Sequence, residues 1–349
     1  MNVSDFDYEL PDDLIAQEPP AERGASRLLV LPREGGGSLA HTRFDALAGY
    51  LRAGDLLVLN NTRVFPARLI GHRVPSGGAV ECLLVRPVEG GQWEALVHPG
   101  QKLKPGARVL FARNGVELHG EILDRHFYGR RTIRLWTASE GGVEAAVDAI
   151  GHVPLPPYIK REDRVEDRER YQTVYARERG SIAAPTAGLH FTPDLLQELE
   201  RRGIERAEIT LHVGYGTFKP VRAETVEAHT VDSERFSIDA PAARALSHAL
   251  RVGRRIVAVG TTTVRALESL DPGPDGEIQP VTGETTLFIY PGRPFRIVEG
   301  LVTNFHLPRS SLLMLVAAFA GRERVLAAYR EAVAQRYRFY TYGDAMLII

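Results

Sequence analysis

From about residue 63 to residue 134 the chain is written in a different texture from the rest, and that change constrains the fold more than any other feature. The runs ARLIGHRV, AVECLLVRP, QWEALVHPG, ARVLFA, VELHGEILD and RRTIRLW are short, alternate apolar with polar residues, and are separated by Gly, Pro and Asn turns. Successive side chains of a strand point to opposite faces, so evenly spaced runs of this kind with no helical period predict a small β-barrel or sandwich. On both sides of the block helices and strands alternate instead, which implies a largely parallel, covered sheet. The expected fold is therefore α/β: a largely parallel sheet domain built from residues 1–62 and 150–349, with a small β-barrel domain inserted at residues 63–149.

The flanking elements follow from local signals. SRLLVLP reads as a strand, residues 44–51 as a helical segment, and DLLVLNN as a strand ending at Asn60 and Asn61. A short helix is expected at residues 143–150, before the stiff loop HVPLPPYIKR. Thr192 is a helix N-cap with Pro193 at the first helical position, and Gly203 stops that helix. RAEITLHV alternates as a strand, with Ala207, Ile209, Leu211 and Val213 on one face. Asp239 and Pro241 open a helix that ends near Gly253. RIVAVG is a short buried strand, TTTVRALESL opens a helix, and TTLFIY and RIVEGLVTNF follow as further extended runs. Helices from Ser310 and Glu323 and a last strand, AMLII, complete the chain. Ligands of such sheets bind beyond the strand C-termini. That draws attention to residues 60–63, 214–217, 260–263 and 304–306.

Composition excludes several function classes. The 349 residues, 44% hydrophobic and 25% charged, describe an ordinary globular protein. The one cysteine, Cys82, rules out a disulfide framework or a cysteine zinc cluster, and its apolar setting (VECLLV) reads as a buried strand thiol. MNVSDFDYEL has no apolar signal region, and the longest apolar run, residues 312–320, is about half of what spans a bilayer. A cytoplasmic protein without membrane contact is expected, and a monomer. The net charge of −1 leaves room for only a local basic surface, made almost wholly of arginine, since Lys102, Lys104, Lys160 and Lys219 are the only lysines among 43 basic residues.

The chemistry points to residues 180–221. There GSIAAPTAGLHFTP and LHVGYGTFKPV place two small-residue loops, Pro185, Thr186, Ala187, Gly188 and Gly214, Tyr215, Gly216, Thr217, around one helix and strand. Glycine admits close approach of backbone to a ligand, and His190 and His212 at the loop edges supply titrating groups. His229 and His306 have similar surroundings. Thr261, Thr262 and Thr263 either offer an anion site at a helix N-terminus or simply cap it. VGYGTF lacks the third glycine of a dinucleotide fingerprint. HTVDSERF, with Asp232 and Glu234, reads as a solvated polar loop or an acid/base carboxylate rather than a metal site. The charge-dense segment 154–180 is either a solvated surface rich in ion pairs or a flap facing RNA.

Seven segments carry a resemblance: NNTRVFPARL (60–69), GHVPLPPYI (151–159), YQTVYARERGSIAAPTAGLHFT (171–192), TLHVGYGTFKPVRAETVEAH (210–229), AVGTTTVRALES (258–269), LVTNFHLPRSSLLMLVAAFAG (301–321) and YGDAMLI (342–348). Together they resemble the S-adenosylmethionine:tRNA ribosyltransferase-isomerases of the queuosine pathway over nearly the whole chain. The resemblance implies an α/β domain with an inserted barrel, no metal and no prosthetic group. It also implies transfer and isomerisation of the ribosyl moiety of S-adenosylmethionine onto the aminomethyl-deazaguanine base at the tRNA wobble position. The product would be epoxyqueuosine-tRNA, with adenine and methionine released. One departure stands out, Val231-Asp232 where the family commonly has Met-His before Ser-Glu. For this chemistry His190 or His212 are candidate acid/base groups and Glu234 a second proton acceptor. The two small-residue loops would hold the nucleoside, with Thr261, Thr262, Asn304 and His306 nearby and Asn60, Asn61, Thr62 and Arg63 as a further wall. Arg63 and Arg265 are candidates to orient anionic groups, the methionine carboxylate or a tRNA phosphate. Two rival classes are a nucleotide-binding oxidoreductase or methyltransferase, which lacks its glycine fingerprint here, and a non-catalytic RNA-binding protein.

Overall fold

A computed structural model describes residues 1–349 except Gly36 and Lys219, and except the side chains of Tyr128, Thr217 and Phe218. In chain order the strands before and through the middle of the chain are β1 (Arg27–Leu31), β2 (Ala40–Arg43), β3 (Leu56–Asn60), β4 (Thr62–Val64), β5 (Arg68–Val74), β6 (Ala79–Val88), β7 (Gln92–His98), β8 (Arg108–Arg113), β9 (Val116–Arg125) and β10 (Arg130–Trp136). Then come the helices α1 (Gly142–Ile150) and α2 (Asp167–Arg170), β11 (Glu178–Ser181), α3 (Pro193–Arg201), β12 (Glu205–Leu211), β13 (Glu234–Ile238), α4 (Ala240–Arg251), β14 (Ile256–Val259) and α5 (Thr261–Glu268). The chain ends with β15 (Val281–Thr285), β16 (Gly300–Asn304), α6 (Ser311–Ala320), α7 (Arg322–Ala334) and β17 (Ala345–Ile348).

Nine strands form one mixed sheet in the order β15-β13-β12-β3-β14-β16-β17-β1-β2. Its centre, β12-β3-β14-β16, is parallel, as is β17-β1, while the flanks are antiparallel. The central strands are apolar without a break because both faces are covered. In β3, Leu56 and Val58 join the core under α4 to α7, and Leu57 and Leu59 join the one under α3. Ile256 and Ala258 of β14 divide from Val257 and Val259 in the same way. Thr192 caps α3 through Leu195 N at 3.1 Å, and Asp239 caps α4 through Ala242 N at 2.9 Å.

The inserted block closes as a six-stranded antiparallel barrel, β10-β7-β6-β5-β8-β9. Its inward residues, among them Leu69, Cys82, Ala95, Phe111 and Ile133, are the alternate positions of the runs that gave it away. Gly71 is required by the packing, since a Cβ there would lie 2.2 Å from Leu110 O. Ala146, Val147 and Ile150 of α1 pack against the barrel core.

Two local expectations are corrected. TTLFIY is irregular beyond Thr285, with Leu287 and Phe288 only half-buried. HTVDSERF is not a solvated loop throughout, because Glu234 opens β13 and is buried. The charged segment is, as one of its two readings has it, a surface rich in ion pairs, with Lys160, Glu162, Arg164 and Arg168 exposed, and it is also bound down by specific contacts. Asp167 is buried and accepts from Arg161 Nη1 and Nη2 at 2.6 and 2.9 Å, from Arg164 N at 2.8 Å and from the Tyr342 hydroxyl at 3.1 Å. Arg168 and Arg170 donate to the backbone carbonyls of Asp148, Gly151, Pro20 and Ala21.

Candidate active site

At the C-terminal edge of the parallel strands a cleft holds about 550 Å³ of empty space. Its floor comes from three separate pieces of chain: Pro185, Thr186 and Ala187; Thr261 and Thr262 at the start of α5; and Asn304 and His306 after β16. Sheet topology brings them together, since β14 and β16 are parallel neighbours and end on the same side.

The polar atoms of this cleft are incompletely matched. The Asn304 amide donates to Tyr340 O at 2.8 Å, but its Oδ1 has no partner among the described residues, nor does Thr262 Oγ1. Both residues are buried. A buried polar atom left without a hydrogen bond costs about 1–3 kcal/mol. Asn304 Oδ1 has the His190 ring beside it, so Thr262 Oγ1 is the atom here that calls for a partner from a bound molecule. Thr263, by contrast, donates to Val259 O at 2.7 Å and belongs to the framework. Opposite stand Tyr158 and Tyr340, in edge contact with ring centroids 3.9 Å apart. Tyr340 holds φ at 74°, a left-handed conformation costly for a bulky residue and a recurrent mark of functional sites. Sequence reasoning missed Tyr158, Tyr340, Thr341 and Leu312 in this wall. A positive φ on a tyrosine leaves no trace in the sequence.

The two deep histidines are neutral framework groups. His190 Nδ1 lies 2.8 Å from Ser26 Oγ, its ring stacks near Phe44, and burial pushes it down to about 4. It stands behind Asn304, lining a smaller cavity that shares Thr341 with the main cleft. His306 reaches the main cleft itself. Its Nε2 is 2.8 Å from Thr303 Oγ1, its carbonyl accepts the Tyr8 hydroxyl at 2.5 Å, and burial pushes it down to about 3.

Val213 lines both the main cleft and a second space of about 790 Å³ between the sheet domain and the barrel. Here lie His212, Gly214, Tyr215, Gly216 and Glu234, facing Arg86, Glu94 and Arg130 of the barrel. His212 Nδ1 is 2.9 Å from Thr62 Oγ1, which is in turn 2.8 Å from Ser181 Oγ. Burial and the Arg235 charge lower its pKa, so the imidazole is neutral near pH 7. Gly180 makes room for the ring, because a Cβ there would come within 2.6 Å of His212 Cε1. Glu234 accepts from Gly214 N at 3.1 Å and pairs with Arg265, which also donates through Nε to Leu287 O at 2.9 Å. Glu234 and Arg265 also line a third cavity, of about 400 Å³, which shares Leu312 with the main cleft.

Some expected site residues lie elsewhere. Asn60 spends its side chain on Leu211 N and O and on Thr62 N, and Asn61 Oδ1 accepts from Thr210, so these amides fasten β3 to β12. Thr62 acts through His212, while the Arg63 side chain is exposed and lines none of these spaces. Gly188 lies against Tyr175, whose hydroxyl would be 2.2 Å from a Cβ at that position. The Thr217 side chain is outside the described set. His229 packs edge-on against Phe288. Among the described residues no group of three or more His, Cys, Asp or Glu is arranged to hold a metal ion, and no helix is long and apolar enough to cross a membrane.

A family model described as "Queuosine biosynthesis protein" matches residues 3–348. The chain belongs to the queuosine biosynthesis protein family. Similar proteins named S-adenosylmethionine:tRNA ribosyltransferase-isomerase come from Heliobacterium modesticaldum, at 51% identity, and Moorella thermoacetica, at 52%, each aligned over 100% of both chains. A solved structure titled S-adenosylmethionine tRNA ribosyltransferase, from Thermotoga maritima, is 40% identical, covers 99% of this chain and 100% of its own, and superposes with a TM-score of 0.56. The family match spans every residue that lines these clefts.

Proposed function

We propose that this protein transfers the ribosyl group of S-adenosylmethionine to the aminomethyl-deazaguanine base at the tRNA wobble position and isomerises it, giving epoxyqueuosine-tRNA with release of adenine and methionine. The coarser statement stands on kinship: a full-length member of this family is an S-adenosylmethionine:tRNA ribosyltransferase-isomerase. The observation that supports the finer reading is that two clefts lie side by side with Val213 as a common wall. One lies at the sheet edge and is lined by Thr262 and Asn304, and the other lies at the barrel face and is lined by His212 and Glu234. A two-substrate reaction needs a closed chamber for the donor and an adjoining mouth for the acceptor.

The chemistry makes three proton demands. The sulfonium acidifies the adjacent ribose carbon, which loses a proton to a base. Adenine must gain a proton as it leaves, and the acceptor's ammonium must lose one before its nitrogen attacks. These transfers need titrating groups in a pocket with little water. His212 suits the base role, since it is neutral near pH 7, oriented by Thr62, and faces the acceptor side. Glu234 is the second proton acceptor. Asn304 and Thr262 offer polar edges to the adenine, Tyr158 and Tyr340 a flat wall. His190 acts by holding Ser26 and Asn304 in place, because an imidazole at about 4 is neutral at pH 7, with no cationic proton to give, and is too weak a base to take one from the ribose.

The test is single-turnover release of free adenine from S-adenosylmethionine. It is expected with tRNA bearing the precursor base and not without it. Salt-sensitive tRNA binding with no adenine released would return the protein to the RNA-binding class. Methylated tRNA as product would make it a methyltransferase.

A further inference from the structure

We infer that the cavity between β13, α5 and the start of α6 is the subsite for the amino-acid end of the sulfonium substrate, with Arg265 and the α6 N-terminus holding the α-carboxylate. The inference rests on the proposed use of S-adenosylmethionine and settles which anion Arg265 serves.

Arg265 is only 8% exposed and Glu234 4%. The guanidinium uses Nη1 on Glu234 and Nε on Leu287 O, and its Nη2 has no acceptor among the described residues. An unmatched N–H on a buried cation is costly and calls for an oxygen ligand. Ser311 and Leu312, the first two residues of the ten-residue α6, line the same cavity. The helix cap Ser310 Oγ accepts Leu313 N at 3.2 Å, leaving the first-turn amides to face an anion.

A tRNA phosphate is tied to a polymer and cannot follow the buried Arg265 into a narrow cavity walled by Leu287, Phe288 and Leu315. A small carboxylate can. The charges also match. Asp232 and Glu234 place carboxylates beside Arg265 in the cavity wall, so the ammonium and the carboxylate of one ligand each find an opposite charge there. The ammonium then faces Asp232 and Glu234 while the side-chain methylenes meet Leu287 and Phe288. Leu312 is common to this cavity and the main cleft, so one molecule spans both, its adenosyl part among Thr262 and Asn304.

The experiment compares equilibrium binding of S-adenosylmethionine and of its decarboxylated analogue to the full-length wild-type protein and to Arg265→Met and Arg265→Lys. Wild type is expected to prefer the intact ligand by about 10- to 100-fold. Both variants are expected to lose most of that preference by weakening only the intact ligand, the analogue staying within about threefold. Equal wild-type affinity for the two ligands, or variants that weaken both alike, overturns the subsite. The wild-type comparison decides the matter even where a variant fails to fold. Absence of any S-adenosylmethionine binding by folded wild type would instead defeat the underlying reading of the function.

Discussion

The guanidinium of Arg130, on the last barrel strand, lies 3.1 Å from the Asp232 carboxylate of the sheet domain, and 3.0 Å from Glu94 on its own barrel. This bridge crosses the mouth of the space that holds His212 and Glu234. It also fixes the neighbouring turn, because Gly216 sits so close to Asp232 that a Cβ there would lie 2.8 Å from the carboxylate oxygen.

Replacing Asp232 by Asn keeps the shape and removes the charge. Both side chains are about one-third exposed (37% and 34%), so the pair is a weak stabiliser, and Tm is expected to fall by no more than about 3 °C. The effect should instead appear in KM for tRNA, which rises several-fold as the barrel wall loosens, with kcat for bound substrate changed less. Unchanged KM for tRNA with unchanged salt dependence would show that the bridge has no part in acceptor binding.

Gly180→Ala separates geometry from stability. The added methyl meets the His212 ring and displaces it from Thr62 Oγ1. Adenine release is expected to drop by about 10²-fold or more, the scale of losing a positioned proton-transfer group. His212→Asn should give a similar loss while binding S-adenosylmethionine nearly as wild type does. Normal turnover in His212→Asn, with folding checked by circular dichroism, would remove His212 from the chemistry.

The barrel was legible because each of its strands has one buried and one wet face, and a period of two survives in the sequence. The central strands β3 and β14 were legible as unbroken apolar runs because both faces are covered. The site was only half legible. The small-residue loops at 185–187 and 214–216 announced themselves, yet Asn60 and Asn61 proved to be strand fasteners, since an amide at a strand end satisfies backbone as readily as ligand. Glu234 looked solvated because β13 alternates over only Phe236 and Ile238, and its partner Arg265 is a helix away. The cavity walls at Tyr158, Tyr340 and Leu312 come from segments far apart in sequence, and no local pattern reports that they meet.

Asp167 provides a stability test away from the chemistry. Burial pushes its carboxyl up, but Arg161, the Arg164 amide and Tyr342 outweigh this and leave it below the usual carboxylate value. A carboxyl lowered on folding stabilises fully above its unfolded pKa of about 4 and loses that contribution as pH falls through the lower folded value. Asp167→Asn strands Arg161 and is expected to cost about 3–5 kcal/mol at pH 7, with a smaller gap from wild type at pH 3. Urea midpoints at the two pH values measure it. An equal gap at both would mean that charge at Asp167 is not what holds the segment down.

His190 and His306 predict the slope of stability against pH in the mildly acid range. Both are pushed down by burial, to about 4 and about 3, whereas an unfolded imidazole titrates near 6.5. From about pH 7.5 upward neither state binds these protons, and stability is flat with respect to them. Between there and the folded values the unfolded chain takes up protons that the native one refuses, so stability falls as pH drops. Near pH 5.5 each histidine contributes about one proton to that difference, or ~1.3 kcal/mol per pH unit. His190→Asn and His306→Asn should each flatten the curve of unfolding free energy by about this slope, the double variant by twice as much, whatever they cost at pH 7. Because the surface carboxylates are common to all four proteins, their titration cancels in the comparison. Parallel curves for wild type and variants from pH 5 to 6.5 would mean that these imidazoles are charged inside the fold, and the neutral framework assigned to them behind the cleft would have to be abandoned.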